Sequence, residues 1–235
     1  MPICQPRRSI LSRYALDRAT LCEVLAAPGH GNVAAGFGLA LALQGPRGVA
    51  RDTLSIVWVR QNAVSVETGE LSGEGLAAFG VDPDRLVLVR LRTPMEVLRA
   101  ALEATRCPAV GAVIIELKQP IDLTASRRLK LAIEKSGVTL ILVRHSDSVI
   151  PNAAQIRWLV RAAPSDPCPS KVWCRPTFDV TVLKHRAGLP ERRSILEWDR
   201  DRAQFSEALS RTVAAVPDGR SLATGMRNIV SPDDR

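Results

Sequence analysis

The 235-residue sequence predicts an α/β fold: a mainly parallel sheet with helices on both faces and an antiparallel hairpin near the C-terminus. Three observations predict it. Short continuous apolar runs (LSIVWV at 54–59, AVGAVIIE at 109–116, VTLILV at 138–143) have the length and composition of strands buried on both faces. Segments with helical start and stop signals lie between them at short spacing, the pattern of crossover helices joining parallel strands. After Pro151 the pattern turns to alternation, IRWLVRA at 156–162 and FDVTVLKH at 178–185, as in half-exposed strands.

Each element has its own signal. Residues 1–20 are polar and basic and read as a flexible arm. An apolar strand is expected at 21–25, then a Gly/Ala-rich stretch, then a buried helix at 38–44. A helix over 69–79 should stop at Gly80, which can take the left-handed C-cap conformation. Residues 81–84 turn into a strand at 86–91, LVLVRL. The next helix has Thr93 as N-cap, Pro94 at N1 and Glu96 at N3, a capping box with a fixed φ at its entrance. Met95, Leu98, Leu102 and Thr105 are its expected apolar stripe. A helix at 125–136 should end at Gly137. Residues 163–176, with four Pro and two Cys, read as a loop, and 194–198 as a last strand. Residues 204–216 are expected to be helical and 217–235 mobile. The organisation is therefore a basic arm (1–20), a core domain (21–203) and a C-terminal helix with a tail (204–235).

Composition narrows the function classes. With 46% apolar residues the chain can bury a core, which excludes wholesale disorder. No apolar run reaches the ~18–20 residues of a bilayer span. The N-terminal stretch has no apolar h-region, so a cytoplasmic protein without membrane contact is expected. Five Cys at irregular spacing fit reduced thiols better than a disulfide framework. Lys and Arg total 32 against 24 Asp and Glu, a net charge of +8. Such a surface favours polyanions, acidic proteins or anionic lipid.

The most informative stretch is EVLAAPGHGNV at 23–33, a strand, a Gly-containing loop and the start of a helix. A working P-loop needs glycines for close approach to phosphate, a Lys for the β/γ oxygens and a Ser/Thr hydroxyl for magnesium. Gly29 and Gly31 are present. Asn32 stands at the Lys position and Val33 at the Ser/Thr position. An Asn supplies no cation and a Val no metal ligand, so the main electrostatic support for phosphoryl transfer is missing. On these residues alone an ordinary loop fits as well.

The order of elements resembles the RecA family of recombinases from about Leu21 to Trp198. EVLAAPGHGNV aligns without a gap on the recombinase P-loop segment, and GVDPDRLVL at 80–88 resembles that family's turn before a strand. Residues 93–117 match in length up to the Walker B strand, whose terminal Asp is here Glu116. Arg144 and His145 stand in place of the Asn-Gln that senses nucleotide, and Gln61 in place of the catalytic Glu. FDVTVLKHR at 178–186 resembles the late β-hairpin. The resemblance implies a RecA-like three-layer core.

A narrower resemblance is to the ImuA group, carried by RYALDRATLCEVLAAPGHG, by ETGELSGEGLAAFGVDPDRLVLVRLRTPMEVLRAALEATRCPAVGAVIIEL, by DLTASRRLKLAIEKSGVTLILVR and by EWDRDR. That group is encoded in DNA-damage-induced mutagenesis cassettes. The resemblance implies a non-enzymatic accessory factor of translesion synthesis under SOS control, without a cofactor. Its implied partners are an ImuB-like inactive Y-family polymerase homologue, an error-prone polymerase α subunit and RecA, with nucleoid association after damage. Two other readings stay open. One is a weak DNA-dependent ATPase, with Arg144 or another cation replacing the Lys and Glu116 holding magnesium. The other is a DNA-binding regulator acting through basic hairpins.

For DNA or partner contact the candidates are Arg157 and Arg161, four apart on one face of a strand, with Lys184, Arg186, Arg192 and Arg193 around the next hairpin. The loop at 147–152 is too short to match the Gly-rich DNA loops of recombinases. Cys168 and Cys174, with His185 nearby, lack the paired spacing of a zinc site. Asp179, Glu197, Asp199 and Asp201 lie near Arg200 and Arg202, so a solvated ion-paired surface is expected rather than a metal site. Leu209, Val213, Val216, Leu222 and Met226 are scattered apolar anchors in the tail.

Overall fold

The computed structural model describes residues 16, 18–45, 54–165, 175–188 and 192–207. Within them nine strands form one sheet: β1 (Leu21–Ala26), β2 (Ser55–Gln61), β3 (Leu86–Leu91), β4 (Val110–Leu117), β5 (Thr139–Arg144), β6 (Ile156–Ala162), β7 (Thr177–His185), β8 (Arg192–Asp199) and β9 (Gln204–Glu207). Their order is β3-β2-β4-β5-β1-β6-β7-β8-β9. Pairings from β3 through β6 are parallel. Those from β6 through β9 are antiparallel. This is the expected α/β class with antiparallel C-terminal strands, and it is consistent with a RecA-like core.

Five helices cover the sheet: α1 (Gly31–Gln44), α2 (Asn62–Thr68), α3 (Gly73–Phe79), α4 (Pro94–Arg106) and α5 (Leu123–Ser136). The alternation of strand side chains sorts them into two cores. On one face Val24, Trp58, Ile114, Ile141 and Trp158 pack against Phe37 and Leu41 of α1, with Leu76 and Phe79 of α3 beside them. On the other, Val113, Ile115, Leu140 and Leu142 pack against Val97 and Ala101 of α4 and Leu129 and Ile133 of α5. Strands β1, β4 and β5 are buried along their whole length, which is why their sequences read as unbroken apolar runs.

Helix α1 is apolar on all sides, as a helix buried on all sides must be. Gly38 lets it lie close to the sheet, because a Cβ there would come 2.9 Å from Cγ2 of Val143. Helix α4 begins with the expected capping box, and its Thr93 hydrogen bonds hold the Glu96 carboxyl below the usual carboxylate range. Gly80 and Gly137 end α3 and α5 in the left-handed conformation, as expected.

Several expectations need correction. The buried helix starts at Gly31, not 38, since its Ala and Gly residues pack as tightly as its Leu. Helix α3 starts at Gly73 behind its Ser72 cap, not at 69. Helix α2 follows β2 directly and carries no side-chain cap, so no start signal announces it. The buried stripe of α4 is Val97, Ala101 and Thr105: Thr105 is buried as expected, but Leu98 and Leu102 are half-buried and Met95 is exposed. The helix expected from 204 is wrong at its start, because residues 204–207 form strand β9 on β8. Phe205 decides this locally. It is buried among Phe37, Phe178 and Trp198, and that packing overrides local propensity. The sheet thus runs across the boundary drawn at 203/204. Likewise the arm drawn over 1–20 ends in anchored chain, because the Thr20 carbonyl accepts from the Leu140 N–H. Residues 1–15, 17, most of the loop at 163–176 with Cys168 and Cys174, and residues 208–235 with their apolar anchors lie outside the described residues.

Phe205→Ala should cost about 3 kcal/mol or more of unfolding free energy, the usual cost of truncating a buried aromatic. Denaturant titration of the two proteins measures it. An unchanged midpoint would mean that β9 is not part of the core.

Candidate functional site

All strands from β3 to β6 point the same way, so the ends of β1, β2, β4 and β5 share one edge of the sheet. Open α/β sheets bind ligands at this carboxyl edge. The sequence-identified loop lies here. It leaves β1 at Ala26, turns at Gly29 with φ of 77° and enters α1 at Gly31. The His30 ring takes no part in capping the helix. Instead its Nδ1 accepts from the Ala162 N–H at 3.1 Å, which ties the loop to β6. Asn32 is exposed at the mouth of a pocket of about 180 Å³ that Trp58, Arg60 and Phe79 also line, and Val33 packs against the core below.

His145, at the end of β5, fills the space over this loop. A Cβ added to Gly31 would meet its Nδ1 at 2.2 Å. The imidazole therefore lies against the backbone of the first helical turn, where a P-loop glycine gives phosphate its room. Its other nitrogen, Nε2, is 2.7 Å from Oε1 of Glu116.

Glu116 is the hub of the arrangement. It ends the apolar run of β4 with no exposed surface. Its Oε2 pairs with Nε of Arg60 at 2.6 Å and accepts from the Trp58 indole at 3.1 Å. Arg60 is itself 2% exposed and donates onward to the Gly69 carbonyl at 2.7 Å and the Thr68 hydroxyl at 2.5 Å. Trp58, Arg60, Glu116 and His145 thus close on one another beside α1. A buried carboxylate needs such partners, because desolvation without them costs several kcal/mol.

Arg144 is not part of that cluster, which corrects the expectation of a cation beside the loop. It alternates to the opposite face, where it pairs with buried Glu23 of β1 at 3.3 Å and donates to the Ser148 carbonyl at 3.1 Å. Glu23 also receives Nε of Arg157 at 2.5 Å. Arg157 in turn holds the Ile150 carbonyl at 2.8 Å and Asn152 Oδ1 at 3.1 Å. Two arginines on one carboxylate therefore fasten the loop at 147–152. Gln61 also turns away from the phosphate loop. Its amide accepts from Lys118 N–H at 3.3 Å and reaches the Arg92 carbonyl at 3.5 Å.

Of the expected basic contact residues Arg157 is buried, while Lys184, Arg186, Arg192 and Arg193 are exposed. Arg157 is 5% exposed, so it is a correction to that list. Lys184 donates to the Ala154 carbonyl at 2.7 Å, and burial, with Arg157 close by, pushes its ammonium below the ordinary lysine range. Arg193 forks onto both oxygens of Asp179 at 2.8 and 2.6 Å. Arg192 lies 3.8 Å from Glu207. Arg186 sits in the turn after β7. Arg161 is half-buried and lines a shallow depression with Leu159, Thr181 and Arg193. The acidic residues are paired as expected, Arg175 bridging Glu197 at 3.0 Å and Asp199 at 3.3 Å. Asp179 and Asp199 are, however, buried rather than solvated. Among the described residues no three His, Cys, Asp or Glu side chains are grouped to share a metal ion. Cys22 is buried, which pushes its thiol far above the ordinary range and leaves it unreactive. No helix among the described residues is long and apolar enough to cross a membrane.

Comparison with known proteins agrees with the sequence resemblance. No family model matches the chain. Protein ImuA of Caulobacter vibrioides strain NA1000 / CB15N is 33% identical over 147 residues, covering 58% of this chain and 57% of that protein. Protein ImuA of the Caulobacter vibrioides strain ATCC 19089 / CIP 103742 / CB 15 matches to the same extent. The chain is similar to Protein ImuA. It spans little more than half the length of these curated relatives.

Beside the ImuA likeness, the key partners of the site were missed by motif reading: Arg60, Trp58 and Glu23. Their signal was present. Glu23 interrupts LCEVLA and Arg60 interrupts SIVWVRQ, and a charge inside a doubly buried strand must have a buried counter-charge.

Gly31→Ala should destabilise the fold by about 1–3 kcal/mol through overpacking against His145. Adding His145→Ala should recover part of that loss, a coupling measured by a double-mutant cycle in denaturant. Glu116→Ala should cost about 3–5 kcal/mol by leaving Arg60 buried without its counter-ion. A Glu116 kept for metal would make the midpoint fall in chelator, whereas the ion pair predicts the same midpoint with and without EDTA.

Proposed function

We propose that the chain is a non-catalytic accessory factor of DNA-damage-induced mutagenesis. It would serve as a scaffold that docks on an ImuB-like partner and on an error-prone polymerase, with RecA as a further contact. The observation that carries this reading is the His145 ring lying over Gly31 and bonded to Glu116. The chain's own imidazole lies against the first turn of α1, where backbone N–H groups receive phosphate in a P-loop. The carboxylate at the Walker B position is saturated by Arg60, Trp58 and His145. Asn32 and Val33 offer neither the cation nor the hydroxyl that phosphoryl transfer needs. The likeness to Protein ImuA supports the biological setting.

The geometry favours constant rather than nucleotide-gated docking. In a nucleotide switch, phosphate and magnesium order the loops at the carboxyl edge and release them on hydrolysis. Here ion pairs internal to the protein hold the same edge, so the surfaces it presents do not wait for a ligand. The ATPase reading would have to displace His145 and break the Arg60–Glu116 pair before magnesium could reach the carboxylate. Nothing in the geometry favours that order of events.

Deleting the chain should bring damage-induced mutation frequency down to the uninduced level. Restoring it as the Asn32→Ala, Val33→Ala double variant should return the full frequency, since neither side chain handles nucleotide. ATP with magnesium, titrated calorimetrically into the purified protein to millimolar concentration, should give no saturable heat. An unchanged mutation frequency in the deletion strain, or saturable ATP binding with turnover, would overturn the proposal.

A further inference from the structure

Helices α4 and α5 lie side by side on the face of the sheet opposite α1, and the seam between their outer surfaces is a groove of about 550 Å³. Its apolar floor is Leu102 of α4 with Leu131 and Ala132 of α5, and its rim is Arg106, Arg128 and Lys135. The helical repeat explains the grouping. Positions 128, 131, 132 and 135 fall on one stripe of α5, while Leu129 and Ile133 point inward to the core. Positions 102 and 106 are one turn apart on α4 and face that stripe.

Two features separate this groove from ordinary surface. Leu131 is 59% exposed although its neighbours on the groove floor give it apolar company. No acidic residue lines the groove, and among the described residues neither Arg128 nor Lys135 has an ionic partner. Arg106 pairs only with Glu103 on its own helix, an exposed pair of the kind worth little.

We infer that this groove is the docking site for an amphipathic, acidic helical segment of a partner protein. An apolar floor between cationic walls matches a helix that sets a Leu-type stripe into the groove and flanks it with Asp or Glu. Charge complementarity argues against two other occupants. The chain's own residues 1–17 contain Arg7, Arg8 and Arg13 against Asp17 alone, and would be repelled. A nucleic-acid backbone would pair with the rim but gain nothing from Leu102 and Leu131. The partner's identity rests on the scaffold reading above, whereas the groove's chemistry does not.

The full chain, with a photoreactive benzophenone amino acid in place of Leu131, is to be irradiated in DNA-damaged cells and the cross-linked segment sequenced by mass spectrometry. The expected capture is a protein segment with apolar residues at i, i+3/i+4 and i+7 and acidic residues between them. A synthetic peptide of that segment should bind the purified chain. Arg128→Glu with Lys135→Glu should weaken it by about tenfold or more, an effect of about 1.4 kcal/mol. A peptide with Lys in place of its acids should bind the double variant better than the wild type. Exclusive cross-linking to nucleic acid, to a second copy or to this chain's own residues would overturn the inference. So would no cross-link at all, or peptide affinity indifferent to the double variant. The Leu131→Asp variant separates this from the broader proposal. Full mutagenesis with that variant, when deletion abolishes it, ends the groove assignment and leaves the scaffold reading standing. An unchanged frequency on deletion, with the peptide still bound at the groove, does the reverse.

Discussion

The carboxyl edge of the sheet is organised by one buried carboxylate. Glu116 lies at the end of a strand buried along its whole length, and desolvation of its charge demands counter-charge nearby. Arg60 from the neighbouring strand supplies it, Trp58 adds a neutral donor, and His145 completes the set from the strand on the other side. That last bond places the imidazole against the start of α1. The phosphate loop therefore keeps its backbone form while its interior is taken up by protein. A single ion-pair hub links β2, β4, β5 and the α1 entrance.

A second hub sits on the opposite face. Glu23 holds Arg144 and Arg157, and through them the loop that follows β5. The two hubs give Arg144 and His145 structural partners on buried carboxylates. Arg144 and His145 are adjacent in sequence, yet strand alternation sends them to different faces and different carboxylates.

The sheet and its two helical layers were legible in the sequence because their signals are local: unbroken apolar runs for β2, β4 and β5, and a capping box for α4. The loop at Gly29–Val33 and the terminal Glu116 were equally visible, since their positions follow from strand ends. What escaped is non-local. Strand β9 reads as the start of a helix until Phe205 meets Phe37 and Trp198. Arg157 reads as a surface cation until β6 is set beside β1 and Glu23. The plug over Gly31 depends on β5 lying between β1 and β4, a topological fact with no signature in either segment.

The loop at 147–152 is held by main-chain carbonyls of Ser148 and Ile150 on guanidinium groups that are themselves anchored. These bonds fix the loop backbone before any encounter, so a partner that bound this corner would surrender less conformational entropy there than at a free loop.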